Sequence, residues 1–177
     1  MKLRLADPED FAQLKKLNLA ALELDPSAFG AQSLERKQWD DKAWQEYIDA
    51  GRIQVGINGH GEMVAMAGVK KKLANIWQLH SVYIDPEHRK TIDEEGRRLS
   101  EGLLQELMDT IRDEEGASQM DLIVNKEKTG AVKLYERLGF VTVEELKDQP
   151  SADGLPHDKL VMSKSLVREK ADLPLAA

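Results

Sequence analysis

The sequence predicts a single mixed α/β domain, and three observations lead to this fold class. Segments with the period of a strand and segments with the period of a helix follow one another in the order β, α, α, β, β, β, α, β, α, β, β. The 177 residues are enough for one domain with a core, and no linker, repeat or low-complexity segment divides them. No apolar run approaches the roughly 20 residues that a membrane-spanning helix needs.

The first half of the chain predicts one strand, two helices and a hairpin. A short alternating run at 2–6 is the first strand, and Asp7 before Pro8 marks the start of an amphipathic helix that ends near Asp25. After a loop, a second helix is predicted over 40–50. Two apolar runs around the dipeptide Asn58-Gly59 then predict a β-hairpin.

The second half predicts the strand, turn and helix that concentrate the chemistry. A strand at 75–85 leads through a turn into a long amphipathic helix. The remaining elements are a buried strand, a helix closed by a glycine, and two final strands, at 120–125, 129–139, 141–146 and 157–166. We therefore expect one domain over residues 1–167 and a C-terminal tail over 168–177.

Composition excludes several classes of function. The net charge is −7, with 32 acids against 25 bases, which argues against a nucleic-acid-binding protein dominated by phosphate contacts. The chain has no cysteine, so disulfides and thiolate metal sites are excluded, and its four histidines lack the spacing of a zinc site. No Gly-Lys-Ser/Thr signature of a phosphate-binding loop occurs, and no metal is expected. The N-terminus turns acidic by position 7 without an apolar signal core, so we expect a cytoplasmic protein.

The strand at 75–85 shows the pattern of a β-bulge. Its apolar positions Leu79, Val82 and Ile84 slip from odd to even numbers, which places the irregularity near His80 and Ser81. A bulge turns backbone groups outward, where an extended ligand can pair with them. A kink without any ligand is the alternative. The turn that follows feeds a helix N-terminus, which is a potential anion site.

Two segments make the chain resemble the GNAT superfamily of N-acetyltransferases. They are "SVYIDPEHR" with the long helix behind it, and "NKEKTGAVKLYERLGF", and the resemblance extends over roughly residues 1 to 167. It implies a mostly antiparallel, twisted sheet flanked by helices and splayed beside the bulged strand. It also implies acetyl-CoA as co-substrate and transfer of the acetyl group to a primary amine.

The resemblance assigns roles to particular residues. The pantetheine arm would pair with the bulged strand, the pyrophosphate would lie on the loop that begins at Arg89, and Asn125 would touch the cofactor. The implied cofactor-binding residues are Val82, Tyr83, Ile84, Arg89, Lys90, Thr91, Gly96, Arg97 and Asn125.

Tyr135 and His80 are the candidate catalytic residues. A phenol with a pKa of about 10 can give a proton to the leaving CoA thiolate, which is the role that the resemblance gives Tyr135. His80 is a candidate base for the amine proton, with a structural strand histidine as the alternative. Gln78 stands where many relatives place a glutamate base, and glutamine cannot act as a base.

The loop after Arg89 departs from the family pattern. It is about two residues longer, lacks a middle glycine and carries Asp93, Glu94 and Glu95. These acids have two interpretations. They start the helix from an N-cap at Thr91 or Asp93, or they occupy the anion site and weaken CoA binding.

The sequence therefore predicts an N-acetyltransferase that works by direct attack of a small-molecule or protein amine. The alternative is a GNAT-fold binding or regulatory module that no longer catalyses, favoured by the loop and by Gln78. No nucleic acid or membrane partner is expected, and homodimers are common in the family. Six acids either form an acidic mouth for a cationic acceptor or are solvated surface: Asp25, Glu35, Asp40, Asp41, Asp153 and Asp158.

Overall fold

The computed structural model of the protein describes residues 1–92 and 96–168. Seven strands form one sheet in the order β1-β2-β3-β4-β5-β7-β6 within this part of the chain. The strands are β1 (Lys2–Leu5), β2 (Arg52–Ile57), β3 (Met63–Leu73), β4 (Ile76–Ile84), β5 (Gln119–Asn125), β6 (Val141–Pro150) and β7 (Pro156–Ser165). The α-helices are α1 (Phe11–Leu24), α2 (Asp41–Ala50), α3 (Leu99–Glu115) and α4 (Thr129–Arg137).

The order of strands and helices is the predicted one, so the α/β class is confirmed. The segment predicted as a loop after α1 is more regular than expected, since it contains the 3-10 helices Pro26–Ala28 and Ala31–Gln38. The predicted tail from 168 lies outside the described residues except for its first residue.

The sheet is mixed because one pair of neighbours runs parallel. All other neighbouring strands are antiparallel, whereas β4 and β5 are parallel. Their ladder has only three residue pairs, from Ile76↔Gln119 to Gln78↔Asp121. Beyond Gln78 the two strands separate, so the predicted splay of the sheet is confirmed.

Helices cover both faces of the sheet and bury two apolar clusters. Helix α3 contributes Leu103, Leu107 and Ile111 to the larger cluster, as its apolar spacing predicts. The smaller cluster lies on the other face, where α1 and α2 pack against β2 and β3. Helix α3 ends at Gly116, whose φ of 67° is a left-handed C-cap. No helix in residues 1–92 and 96–168 is long and apolar enough to cross a membrane.

Candidate active site

Strand β4 carries the predicted bulge. Gly68 pairs with His80 and Met66 pairs with Tyr83, so Ser81 and Val82 lie opposite Ala67 alone. Ser81 has a φ of 52°, in the left-handed region that costs a non-glycine residue roughly 1–2 kcal/mol. Three side chains hold its hydroxyl: Arg36 donates Nη1–H at 2.9 Å, and His80 Nδ1 and Tyr47 Oη lie at 3.0 and 3.2 Å.

The bulged end of β4 presents backbone groups to the space between β4 and β5. Tyr83 pairs with Met66, and Asp85 N–H donates to the Val64 carbonyl at 2.8 Å. Because hydrogen-bonded pairs alternate along an antiparallel ladder, Ile84 turns its own N–H and C=O away from β3. Arg89 Nε–H reaches that Ile84 carbonyl at 3.1 Å, as this orientation requires.

A cavity of about 420 Å³ opens where β4 and β5 separate, and we call it the cofactor cleft. Its apolar wall includes Val82, Ala131 and Leu134. Its charged lining consists of one acid, Asp25, and four cations. The cations are Arg89, Arg98, Lys128 and Arg137. This excess of positive charge in a chain of net charge −7 makes the cleft suited to a ligand with anionic groups.

Two of the four cations pair with carboxylates. Lys128 Nζ lies 2.5 Å from the Asp25 carboxylate, and Arg137 lies 3.1 Å from Glu101. Arg98 is exposed and is the N-cap of α3, at the end of the helix where the dipole favours an anion. Arg89 and Arg98 are therefore the cations of the cleft with the most freedom to meet phosphate.

The loop before α3 is closed at its base. Thr91 accepts a hydrogen bond from Leu99 N–H at 2.9 Å, and Ile92 bridges to Arg98. Helix α3 begins only at Leu99, with Arg98 as its N-cap. The interpretation in which α3 starts from an N-cap at Thr91 or Asp93 is therefore wrong.

The acids themselves, Asp93, Glu94 and Glu95, lie outside the described residues. Since α3 starts four residues after Glu95, the first turn of α3 does not contain them. Gly96 has a φ of 78°, a conformation that favours glycine. Arg97 lies 3.6 Å from Glu106 of α3.

The structure brings most of the predicted site residues to the cofactor cleft. Those that line it are His80, Val82, Tyr83, Ile84, Arg89, Asn125 and Tyr135. Lys90, Thr91, Gly96 and Arg97 lie in the described part of the loop and do not line it. Asn125 is engaged within the protein, since its side-chain N–H donates to the Ser27 carbonyl at 3.0 Å and its oxygen accepts from Glu127 N–H at 2.9 Å.

Tyr135 lies on α4 with its ring in the larger apolar cluster. The ring packs edge-on against Phe140, with centroids 5.9 Å apart. Burial raises the pKa of the Tyr135 phenol well above its usual value of 10. Its hydroxyl has no hydrogen-bond partner among the described residues, and the side chain faces the cleft.

His80 is held neutral by its surroundings. Burial, together with the positive charges of Arg36 and Lys70, lowers the pKa of His80 to about 4. Its Nδ1 lies 3.0 Å from Ser81 Oγ and 3.4 Å from Tyr47 Oη. The ring lies directly over Gly68, where an added Cβ would be 2.5 Å from His80 Cε1. Only glycine at position 68 leaves room for it.

A second cavity of about 350 Å³ adjoins the first, and we call it the acceptor cavity. Its walls come from the 3-10 segment at 31–38, from Trp39 and Tyr47, and from the middle of β4. His80, Ser81, Leu79 and Phe29 line both cavities. The bulge of β4 therefore stands at the junction between them.

Sequence reasoning missed several residues of these two cavities. Lys128 in the cleft, and Arg36 and Tyr47 near the bulge, were not predicted. Lys128 stands just before a predicted helix, which was the one local signal available. Arg36 and Tyr47 reach β4 from 45 and 34 residues away in sequence, so no local pattern marked them.

Comparison with known proteins identifies the class. The chain matches the acetyltransferase (GNAT) domain family over residues 22–164. The protein belongs to this GNAT acetyltransferase family, as its sequence motifs had indicated. No functionally curated protein matches the chain in sequence.

Solved structures share the fold at low sequence identity. yncA of Salmonella typhimurium, determined with its cofactor acetyl-CoA, is 20% identical with a TM-score of 0.76, covering 98% of each chain. A ribosomal-protein-alanine N-acetyltransferase from Brucella melitensis is 20% identical with a TM-score of 0.71, covering 93% of this chain and 99% of that one. The spermidine/spermine N-acetyltransferase SpeG of Vibrio cholerae is 19% identical with a TM-score of 0.68, covering 93% and 94%.

Proposed function

We propose that the protein transfers an acetyl group from acetyl-CoA to a primary amine by direct attack of the amine on the thioester. The observation that carries this proposal is the cofactor cleft. It combines the outward-facing backbone of Ile84, a cationic lining and the buried phenol of Tyr135 in one cavity. A solved relative in fold holds acetyl-CoA, which supports the choice of donor.

The residues present fit the parts of acetyl-CoA. Arg89, Arg98 and the N-terminus of α3 offer positive charge for the pyrophosphate. Val82, Ala131 and Leu134 offer apolar surface for the pantetheine arm, and the outward-facing Ile84 N–H offers it a hydrogen bond, since the Ile84 carbonyl already accepts from Arg89. When bound, acetyl-CoA supplies a thioester whose C–S bond breaks as the amine nitrogen bonds to the acetyl carbon.

Tyr135 is the proposed donor of a proton to the leaving sulfur. Its raised pKa keeps the proton on the oxygen throughout the physiological pH range. Its hydroxyl is free, among the described residues, to donate a hydrogen bond into the cleft. A buried donor aimed at a developing negative charge is worth several-fold more than the same group in water.

His80 is the proposed hydrogen-bond acceptor for the attacking amine. With a pKa of about 4 it is neutral at physiological pH. The same low pKa makes it too weak a base to deprotonate a free ammonium group with a pKa near 10. The amine therefore has to arrive uncharged, and His80 assists as the nitrogen becomes acidic during attack.

Direct attack fits the two adjoining cavities. They meet at His80 and Ser81, so an amine in the acceptor cavity and an acetyl group in the cleft can face each other across the bulge. The chain has no cysteine to form a thioester intermediate.

The absence of cysteine also gives a clean assay. A thiol reagent such as 5,5′-dithiobis(2-nitrobenzoate) reports only released CoA, because the protein adds no thiol of its own. We would supply acetyl-CoA with spermidine, with amino acids and with an alanine-initiated peptide, and use reactions without amine as the hydrolysis control. Amine-dependent CoA release with an acetylated product in the mass spectrum supports the proposal. Acetyl-CoA binding without turnover of any amine favours the non-catalytic module.

A further inference from the structure

The acceptor cavity carries positive charge, although the protein is acidic. Three cations line it against one acid, namely Arg36, Lys70 and Lys159 against Glu35. Arg36 and Lys159 are half-buried, whereas Lys70 and Glu35 are exposed. In a chain of net charge −7, such an excess is not a consequence of overall composition.

Five of the six acids that were candidates for binding a cationic acceptor do not line the acceptor cavity. Of the six candidates, Glu35 alone lines the acceptor cavity. Asp40 caps α2 by accepting from Ala43 N–H at 2.8 Å, and Asp41 pairs with Lys15 at 2.9 Å.

The other three acids are also engaged in contacts of their own. Asp25 pairs with Lys128 in the cofactor cleft, Asp153 with His157 at 2.7 Å and Asp158 with Lys147 at 2.7 Å. An acidic mouth for a polycation is therefore not what the described residues form.

Arg36 keeps hydrogen-bond donors available beside the bulge. Its Nη1 donates to Ser81 Oγ at 2.9 Å and to Asn18 Oδ1 at 3.3 Å. Its guanidinium lies over the ring of Tyr47, 5.0 Å from the centroid, which fixes its orientation. Among the described residues no acceptor takes the hydrogens on Nε and Nη2. That pair is the edge with which arginine binds a carboxylate in a bidentate manner.

Among the described residues, neither Lys70 nor Lys159 forms an ion pair with a carboxylate. Lys159 Nζ donates to the Pro150 carbonyl at 3.0 Å, and burial lowers its pKa more than the nearby charge of Asp153 raises it. Lys70 stands opposite Gln78 on β4, and its charge together with that of Arg36 disfavours protonation of His80. The positive field thus reaches the group that the acetyl acceptor would face.

We propose that the acceptor is a small amine that carries a carboxylate, of amino-acid size, and that Arg36, Lys70 and Lys159 bind this carboxylate. This inference rests on the proposed acetyl transfer. The cations also favour the uncharged form of the nearby amine, which is the form that attacks. The amine nitrogen bonds to the acetyl carbon, the thioester C–S bond breaks, and the nitrogen's proton ends on the CoA thiol.

The test compares free α-, β- and γ-amino acids with their own amides, and with spermidine, in the CoA-release assay. Each amide keeps the amine and loses the carboxylate. We expect kcat/KM for the best amino acid to exceed that of its amide by about tenfold or more. This is the size of the effect that attraction between one carboxylate and one cation gives in a partly screened site. A preference for the amides or for spermidine overturns the proposal.

Variants identify the responsible charges. Lys70→Gln and Lys159→Gln should each raise KM for the amino acid several-fold, and should raise it more than KM for the amide, which has no carboxylate to lose. Lys71→Gln is the matched control, since Lys71 is the next residue on β3 and does not line the cavity. Equal effects of Lys70→Gln and Lys71→Gln would contradict a carboxylate site.

Calorimetry with acetyl-CoA separates the two levels of failure. If acetyl-CoA binds but no amino acid is acetylated, the carboxylate inference is wrong while the cofactor cleft stands. If acetyl-CoA does not bind, the proposed acetyl transfer itself fails.

Discussion

Replacing His80 by asparagine should make the stability of the protein less sensitive to mild acid. In the folded protein the pKa of His80 is about 4, against an ordinary value of 6.5. A histidine whose folded pKa is depressed contributes stability above pH 6.5 and loses it as the pH falls toward 4, because the unfolded chain binds the proton more readily. Asparagine does not titrate and places a polar atom near the position of Nδ1.

The magnitude follows from the two pKa values. Protonation of the unfolded state removes about 2 kcal/mol of the wild-type free energy of unfolding between pH 7.5 and pH 5, and about 3 kcal/mol by pH 4. The free energy of unfolding of the variant should fall by about that much less over the same pH range. It should also be less stable than wild type at pH 7.5, because the imidazole ring packs over Gly68.

Urea unfolding of both proteins at pH 7.5 and pH 5 gives the loss of unfolding free energy for each, and the difference between the two losses is the contribution of His80. Other titrations cancel in the comparison. His157, whose pKa is raised chiefly by its hydrogen bond to Asp153, adds stability below pH 6.5 in both proteins. Equal losses for wild type and variant between pH 7.5 and pH 5 would refute the view that His80 is buried and neutral.

Three further predictions concern the cleft and the bulge. Tyr135→Phe should lower kcat by about 10²–10³-fold with little change in acetyl-CoA affinity, and an unchanged kcat in steady-state assays would remove the proposed role of the phenol. Neutralising the three acids at 93–95 with asparagine and glutamine should tighten acetyl-CoA binding in calorimetry if they oppose phosphate, whereas unchanged affinity would show that they face away from it. Gly68→Ala should cost about 1–3 kcal/mol and displace the His80 ring, since the new Cβ would be 2.5 Å from it. Gly59→Ala, where an added Cβ has no neighbour within 4 Å, is its control, and equal stability of the two variants in urea unfolding would contradict the clash.

Local patterns in the sequence predicted the elements and the bulge because both are local properties. The apolar spacing of α3 and the odd-to-even slip around Ser81 are visible within a few residues, and both correspond to what β4 and α3 do in the structure. Tyr135 and the cleft-facing backbone of Ile84 came from the family motif that the chain resembles.

One of the two interpretations of the loop acids, that they start α3, is wrong for a physical reason. Acidic residues after Thr91 look like a first turn, yet tertiary contacts decide the boundary. The hydrogen bond from Leu99 N–H to the Thr91 carbonyl and the Ile92–Arg98 bridge close the loop first. Helix α3 then begins where Leu99 enters the core.

The charge of the acceptor cavity was beyond sequence reasoning for a different reason. Six acids in the sequence were candidates for the mouth of a cationic acceptor site, but the relevant charges are those that the fold gathers at one place. Arg36, Lys70 and Lys159 come from three distant segments and meet beside β4. The three-dimensional arrangement shows that these cations line the cavity, whereas most of the candidate acids form contacts outside it.

Hydrogen–deuterium exchange in the presence of acetyl-CoA tests most directly whether the cofactor cleft binds acetyl-CoA, because it reports binding and its location together. At a hundredfold excess over Kd, binding stabilises the native state by about 2.7 kcal/mol, which slows exchange of amides that open with the site by about a hundredfold. We predict this protection at the bulged end of β4, around Val82 and Ile84, and in the first turn of α3. The β6–β7 hairpin, away from the cleft, should show far less. Protection absent from β4 and α3 at millimolar acetyl-CoA would contradict the cofactor cleft, and with it the proposed acetyl transfer.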